Sequence, residues 1–138
     1  MTSTQRLALA FVFAWFFLGG IAHFVATELE MTIMPDWLPA HRALVLASGA
    51  FELLGAAGLL WRRTRGWAGW GLIALTVAVT PANIDMLLHA QTFPGIPYWA
   101  LVLRLPLQLA LIVCIAWATQ CSCRGRGPMG RPRGASQR

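Results

Sequence analysis

Five polar side chains interrupt segments of this 138-residue chain that are otherwise strongly apolar. They are His23, Glu52, Asn83, Arg104 and Gln108. A carboxylate can accept a proton, while guanidinium and amide groups can hold a carbonyl or anionic oxygen. Placed together, these residue types predict a site that binds a small molecule, with Glu52 as its proton acceptor.

An ionised side chain at the middle of a membrane helix costs roughly 2.5–3.5 kcal/mol on insertion scales. Such residues therefore face the interior of a helix bundle, where they are paired or neutralised. A buried network of this kind can also serve only to fix the register of the helices. The sequence leaves both interpretations open, a ligand-binding or redox-related site and a structural network.

The apolar segments are the elements that must position these residues. The composition is 57% hydrophobic and 12% charged, with a mean hydropathy of +0.60, whereas a soluble domain usually carries about 25% charged residues. The apolar runs are 7–25, 43–61, 67–88 and 98–118. Each is about as long as the roughly 20 residues that cross a bilayer as a helix.

We therefore predict an all-α fold, a bundle of four transmembrane helices within a single domain at 1–119. The predicted helices are at about 5–26, 41–61, 67–89 and 97–119. The first run is long for a signal peptide and has no cleavage motif of small residues after it, so it is predicted to be retained. The segment 120–138 is rich in Gly, Pro and Arg and is predicted to be a disordered basic tail.

The distribution of arginine predicts the orientation of the bundle. All eleven basic residues are arginine. Arg6 precedes the first run, three arginines lie at 62–65 between the second and third runs, and five follow the fourth run. Positively charged segments stay in the cytoplasm, so both termini are predicted to be cytoplasmic. The basic tail is expected to approach anionic headgroups, and no nucleic-acid partner is predicted.

The depth of the polar residues predicts where the site opens. At about 1.5 Å per residue from the outer helix ends, Glu52 lies about 15 Å deep and Arg104 about 9 Å deep. The polar cluster occupies the outer half, which predicts a pocket open to the outside rather than a polar path across the membrane. We expect a Glu52–Arg104 ion pair, with Asn83, Gln108 and Ser48 satisfying the remaining donors and acceptors.

Two further residues are supporting candidates. Trp37 lies in the turn "MPDWLP" between the first two helices, which is predicted to be rigid and to lie at the interface as a lid or a simple connector. Asp85 projects about 160° away from Asn83 around the third helix, towards His89. It is therefore expected to be less central.

Prolines and glycines are expected to shape the bundle. Pro81 and Pro106 lie inside the third and fourth helices and are predicted to kink them, freeing backbone carbonyls. Close contact between helices is predicted at Gly19, Gly20, Gly49, Gly55 and Gly58.

The cysteines do not form an obvious site. Cys114, Cys121 and Cys123 fall in or just after the fourth helix, on the side predicted to be cytoplasmic, where thiols stay reduced. No histidine lies near them and arginines surround them. Neither a metal site nor a disulfide is predicted.

The order of four motifs resembles the DoxX-like family of small bacterial four-helix membrane proteins. The motifs are "GGIAHF", "IMPDWLPAHRALVLASGAFELLG", "TPANIDM" and "LRLPLQ", and the resemblance covers about residues 13–117. It implies a multi-pass protein of the bacterial inner membrane. Some members are linked to thiosulfate:quinone oxidoreduction or to thiol and oxidative-stress complexes. The recurring residues of the family fall here on His23, Pro35, Pro39, Ser48, Gly49, Glu52, Asn83, Arg104, Pro106 and Gln108.

These observations predict a redox-associated accessory protein that binds a quinone or another small apolar molecule in the outer-half pocket. The alternative is a non-catalytic assembly protein with a purely structural polar network. The expected partners are the lipid bilayer and a membrane or redox protein. A transporter is disfavoured because the inner half of each helix lacks polar residues. The sequence does not decide whether the protein is an enzyme, and no metal ligand set is predicted.

Overall fold

The computed structural model describes residues 1–93 and 95–120, and within these residues the chain is helical with no β-strand. The helices in chain order are α1 (Ser3–Val25), α2 (Thr27–Met31), α3 (His41–Leu60), α4 (Arg65–Ala78), α5 (Thr80–Leu88) and α6 (Tyr98–Gln120), with a short 3₁₀ helix at Ala90–Thr92. The predicted basic tail, from residue 121 onwards, lies outside the described residues, as do Cys121 and Cys123.

Within the residues that the structure describes, four helical segments are long and apolar enough to cross a membrane, as the sequence predicted. They are Ser3–Val25, His41–Leu60, Arg65–Leu88 and Tyr98–Thr119. Between 17% and 22% of the most apolar window of each span is buried inside the molecule. The outward surface is apolar, with large exposed side chains such as Leu7, Trp67 and Leu109. A surface of this kind is suited to lipid.

The spanning segments form a closed square. Helix α1 packs on α3, α3 on α4, α4 on α6, and α6 again on α1, so α3 and α6 are diagonal to each other. Helix α5 continues the α4 span and packs on α6. The core where the four spans meet comprises Val12, Phe16, Ala56, Leu59, Leu72 and Ile115.

The α1–α3 contact depends on glycine. A methyl group added to Gly49 would lie 2.6 Å from His23 Cβ and 3.1 Å from the Gly20 carbonyl oxygen. One added to Gly20 would lie 2.7 Å from Leu53 Cγ. Small residues let membrane helices approach closely enough to gain van der Waals contact. This crossing brings His23 of α1 against α3.

The third span is interrupted, as its proline predicts. Helix α4 ends at Ala78, Val79 adopts a turn, and α5 restarts at Thr80 with Pro81 in its first turn. Proline is tolerated there because its missing N–H has no partner to lose at a helix start. Pro106, in contrast, lies inside α6, which runs through it without a break.

The connection between α1 and α3 is partly helical, which the sequence did not predict. The Thr27 hydroxyl donates to the His23 carbonyl at 2.6 Å, so the chain turns immediately after α1 and continues as α2. Pro35 is buried, and its carbonyl lies 3.0 Å from His41 Nε2. Ala40, with φ of 53°, adopts the left-handed conformation just before α3.

Candidate functional site

All five polar residues singled out from the sequence line one cavity of about 470 Å³. We call it the polar cavity. It draws His23 from α1, Glu52 from α3, Asn83 from α5, and Arg104 and Gln108 from α6. The remaining lining is largely apolar and comprises Trp15, Phe16, Gly19, Leu75, Thr76, Val79, Leu107 and Leu111.

One wall of the polar cavity is acidic. His23 Nε2 lies 3.5 Å from Glu52 Oε1, and His23 Nδ1 contacts the Glu30 carboxylate of α2. The buried Nδ1 is within ion-pair distance of the Glu30 carboxylate. The two groups are not aligned as a hydrogen bond. An imidazole thus links two carboxylates, one facing the cavity and one in the α1–α3 connection.

Gly19 makes room for this wall. A methyl group on Gly19 would lie 2.6 Å from Glu52 Oε2, so the carboxylate lies directly over the α1 backbone. Helix α1 therefore supplies both the space for Glu52 and, one turn later, the imidazole that pairs with it.

The predicted Glu52–Arg104 ion pair is not formed. Among the described residues, Glu52 pairs with His23, and no carboxylate lies within ion-pair distance of the Arg104 guanidinium. Arg104 Nη1 instead contacts Met86 Sδ at 3.4 Å. The reason is the square arrangement, in which Glu52 and Arg104 lie on diagonal helices and face each other across the cavity, whereas α1 and α3 are in direct contact.

The opposite wall is held by amide hydrogen bonds. Asn83 Nδ2 donates to Gln108 Oε1 at 2.9 Å. Gln108 Nε2 donates to the Thr80 hydroxyl at 2.6 Å and also to the Thr76 carbonyl. Thr76 lies just before the α4–α5 interruption, so α6 satisfies a backbone acceptor near the break.

A family match covers three of the spanning segments and most of the first. The family model described as "Domain of unknown function (DUF8561)" matches residues 9–122. The chain belongs to this family. Comparison with curated proteins and with solved structures gives no match. All five cavity residues of the sequence analysis lie within the range that matches the DUF8561 family, and the resemblance to the DoxX-like family stays a prediction.

The three supporting candidates lie outside the polar cavity lining. Trp37 Nε1 donates to Asp85 Oδ1 at 3.3 Å, and His89 Nδ1 lies 3.4 Å from the same oxygen. Asp85 therefore points towards His89 and away from the cavity, as its position around the helix indicated. The Trp37–Asp85 bond ties the α1–α3 connection to α5. Ser48 is half-buried on α3 and makes no side-chain hydrogen bond within the described part of the chain.

Glu30 contacts His23 but is not among the site residues predicted from the sequence. It lies in a segment for which the sequence predicts a connecting loop, and only the α2 turn brings it back to His23. The seven-residue spacing from His23, two helical turns, is the one signal of a shared face. Cys114, half-buried in α6, packs against the core.

Proposed function

We propose that this protein is a redox-associated membrane accessory protein that binds a small molecule carrying carbonyl or anionic oxygens in the polar cavity. A quinone is the leading candidate. The observation that carries the proposal is the position of Arg104, which lines the same cavity as the Glu52–His23 pair and has no carboxylate partner among the described residues.

The polar cavity suits such a ligand. Its volume of about 470 Å³ falls within the roughly 300–1,000 Å³ typical of small-molecule sites. Phe16, Leu75 and Leu107 offer apolar surface to a ring. Guanidinium N–H groups without an anion partner are strong donors to an oxygen acceptor, because a hydrogen bond from a charged donor is stronger than a neutral one.

A bound quinone would supply two-electron, two-proton chemistry, with a redox protein partner exchanging the electrons. Arg104 would hold one oxygen of the ligand in either redox state. When a bound quinol is oxidised, its two electrons would pass to the partner protein, Glu52 Oε1 would accept one of the two protons released, and the other would leave to solvent. His23 Nε2, 3.5 Å from Glu52, would take that proton, and the imidazole would give up its Nδ1 proton to the Glu30 carboxylate in the α1–α3 connection.

The test is native mass spectrometry of the full chain extracted in mild detergent, followed by titration with a short-chain benzoquinone. We expect a bound small molecule and quinone binding in the wild type, and at least a tenfold loss of both in Glu52→Gln. Glu28→Gln is the matched control, because Glu28 is an exposed carboxylate of α2 that does not line the cavity. Binding by Glu52→Gln equal to wild type would contradict the assignment.

We further propose that the protein is a DoxX-like protein of the bacterial inner membrane with both termini in the cytoplasm. This rests on the sequence resemblance and on the arginine distribution. Arg6, Arg62, Arg63 and Arg65 lie at one end of the bundle, and the α2 connection with its three acidic residues lies at the other. In this orientation the polar cavity lies in the outer half of the membrane.

A second candidate function is favoured by the amide wall. Asn83 and Gln108 already bond to each other and to the α4–α5 junction, which is the arrangement that a purely structural network requires. On this reading the protein assists the assembly of another membrane protein. A stoichiometric protein partner co-purifying from the native membrane, with no small molecule bound in either form, would support this alternative over the first.

A further inference from the structure

A second cavity, of about 290 Å³, lies at the end of the bundle opposite α2. We call it the arginine cavity. It is bounded by the start of α1 and the turn between α3 and α4, and its lining residues are Met1, Arg6, Leu9, Arg62 and Arg65. Three arginines therefore line one small cavity, and the proposed function of the polar cavity makes no use of it.

Arg65 is the buried member of this group, with 7% of its surface exposed. Its Nε donates to the Leu59 carbonyl at 3.0 Å, and its Nη1 contacts Met1 Sδ at 2.9 Å. A carbonyl and a thioether are acceptors, but neither neutralises the charge. A buried charge without a counter-ion is strongly unfavourable, so the site calls for an anion.

The chain itself offers no carboxylate side chain for this purpose. Its acidic residues are Glu28, Glu30, Asp36, Glu52 and Asp85, and none of them lines the arginine cavity. No aspartate or glutamate follows Asp85 in the sequence. Within the described residues, no carboxylate therefore neutralises the buried Arg65 charge, which leaves room for an external anion.

The residue type indicates the kind of anion. All three charged side chains that line the arginine cavity are arginines. Arginine is the side chain whose planar fork matches phosphate oxygens in bidentate geometry.

The position of the arginine cavity indicates the source of the phosphate. Trp61, Trp67 and Trp70 are exposed around the α3–α4 turn, and tryptophan at the ends of membrane helices sits at headgroup level. Basic pockets between helices at this level bind lipid head groups. We propose that Arg6, Arg62 and Arg65 form a binding site for a phosphate group, supplied by an anionic phospholipid.

The test measures lipid retention by the full chain in native mass spectrometry, with phosphatidylglycerol or phosphatidylcholine added to the detergent-solubilised protein. We expect retained phosphatidylglycerol in preference to phosphatidylcholine. Arg62→Gln should weaken this retention about tenfold, as expected for one charge-assisted phosphate contact. Arg63→Gln is the matched control, because it removes the same charge from the same turn without lining the cavity.

Arg65→Gln should have the largest effect, with circular dichroism reporting whether the variant keeps its helices. Arg65 is buried, so Arg65→Gln can fail to fold. In that case the variants of the two exposed arginines, Arg6→Gln and Arg62→Gln, decide the outcome. A separate arm titrates inorganic phosphate. If inorganic phosphate binds with the same dependence on Arg62 but phosphatidylglycerol is not retained, the phosphate site stands and its ligand is a free anion rather than a lipid.

Two results would overturn the proposal. Equal loss in Arg62→Gln and Arg63→Gln would mean that diffuse surface charge, rather than the cavity, holds the lipid. Absence of both phosphatidylglycerol preference and phosphate binding in the wild type would remove the site altogether. Neither result bears on the polar cavity, since none of its lining residues is altered.

Discussion

Glu52 and Arg104 face the same cavity but differ in what surrounds each charge. The Glu52 carboxylate lies over Gly19 and beside His23, so the protein itself supplies one polar partner for this carboxylate. The guanidinium of Arg104 contacts a thioether, which is a weak acceptor. One side of the polar cavity therefore offers the charged donor groups of Arg104 to a ligand. The other side carries the Glu52–His23 pair, which can hold a proton.

Gly19→Ala tests whether this placement of Glu52 matters. The added methyl group would meet Glu52 Oε2 at 2.6 Å, and the carboxylate, at the end of a flexible side chain, can swing away. We expect the variant to fold with little change in thermal stability but to lose the Glu52–His23 contact. The measurement is the imidazole ¹⁵N spectrum of His23 in detergent, together with quinone titration.

Gly71→Ala is the control for this experiment. A methyl group on Gly71 of α4 meets no atom within 4 Å, so the same substitution in another spanning helix should leave both readouts at wild-type values. An unchanged His23 spectrum in Gly19→Ala would mean that Glu52 does not depend on the space over Gly19.

At the scale of elements, the α4–α5 interruption is held together by α6. Gln108 bridges Asn83, the Thr80 hydroxyl and the Thr76 carbonyl across that interruption. In lipid there is little hydrophobic force between helices, so packing and such hydrogen bonds carry the association.

Gln108→Leu should therefore destabilise the bundle. The variant replaces the amide side chain with an apolar one of similar size and leaves Asn83 and the Thr76 carbonyl without the Gln108 partner. We expect the free energy of unfolding to fall by about 0.5–2 kcal/mol, the range measured for hydrogen bonds between membrane helices. Thermal or denaturant unfolding in detergent measures this change.

The exposed Gln91 of the 3₁₀ helix provides the comparison, because Gln91→Leu removes the same amide without breaking the bridge. Equal stability of the two variants would show that the amide wall contributes nothing to helix association.

The sequence predicted the elements well because membrane helices are specified by one-dimensional quantities, length and apolarity. The same reasoning predicted that the five polar residues share one site, because depth along a helix also follows from residue number. It did not predict the partner of Glu52, because that depends on which helices are adjacent and which are diagonal. Glu30 was missed for a related reason, as its contact with His23 depends on how the chain turns after α1.

At the scale of the whole molecule, charge is divided between the two ends of the bundle. The α2 end carries Glu28, Glu30, Asp36 and Asp85, and the polar cavity lies in that half. The other end carries Arg6, Arg62, Arg63 and Arg65 with no acidic residue. The two cavities thus differ in chemistry. The polar cavity has both donors and acceptors, whereas the charged side chains of the arginine cavity are all cationic.

This asymmetry makes the orientation of the protein testable. Arginine-rich connections are retained in the cytoplasm, so we expect alkaline phosphatase fused after residue 36 or residue 93 to be active in bacteria. Fusions after residue 63 or residue 120 should be inactive, because the enzyme folds only outside the cytoplasm. Green fluorescent protein at the same four sites should give the opposite pattern and so controls for expression.

The reversed pattern would place the arginine cavity outside and the polar cavity in the cytoplasmic half, which would overturn the proposed orientation. In that case protons held by Glu52 and His23 would exchange with the cytoplasm, and a partner redox protein would have to be sought on that side. The predicted pattern instead directs the Glu52–His23–Glu30 chain towards the outer face. The fusions therefore decide from which compartment the ligand and its partner reach the polar cavity.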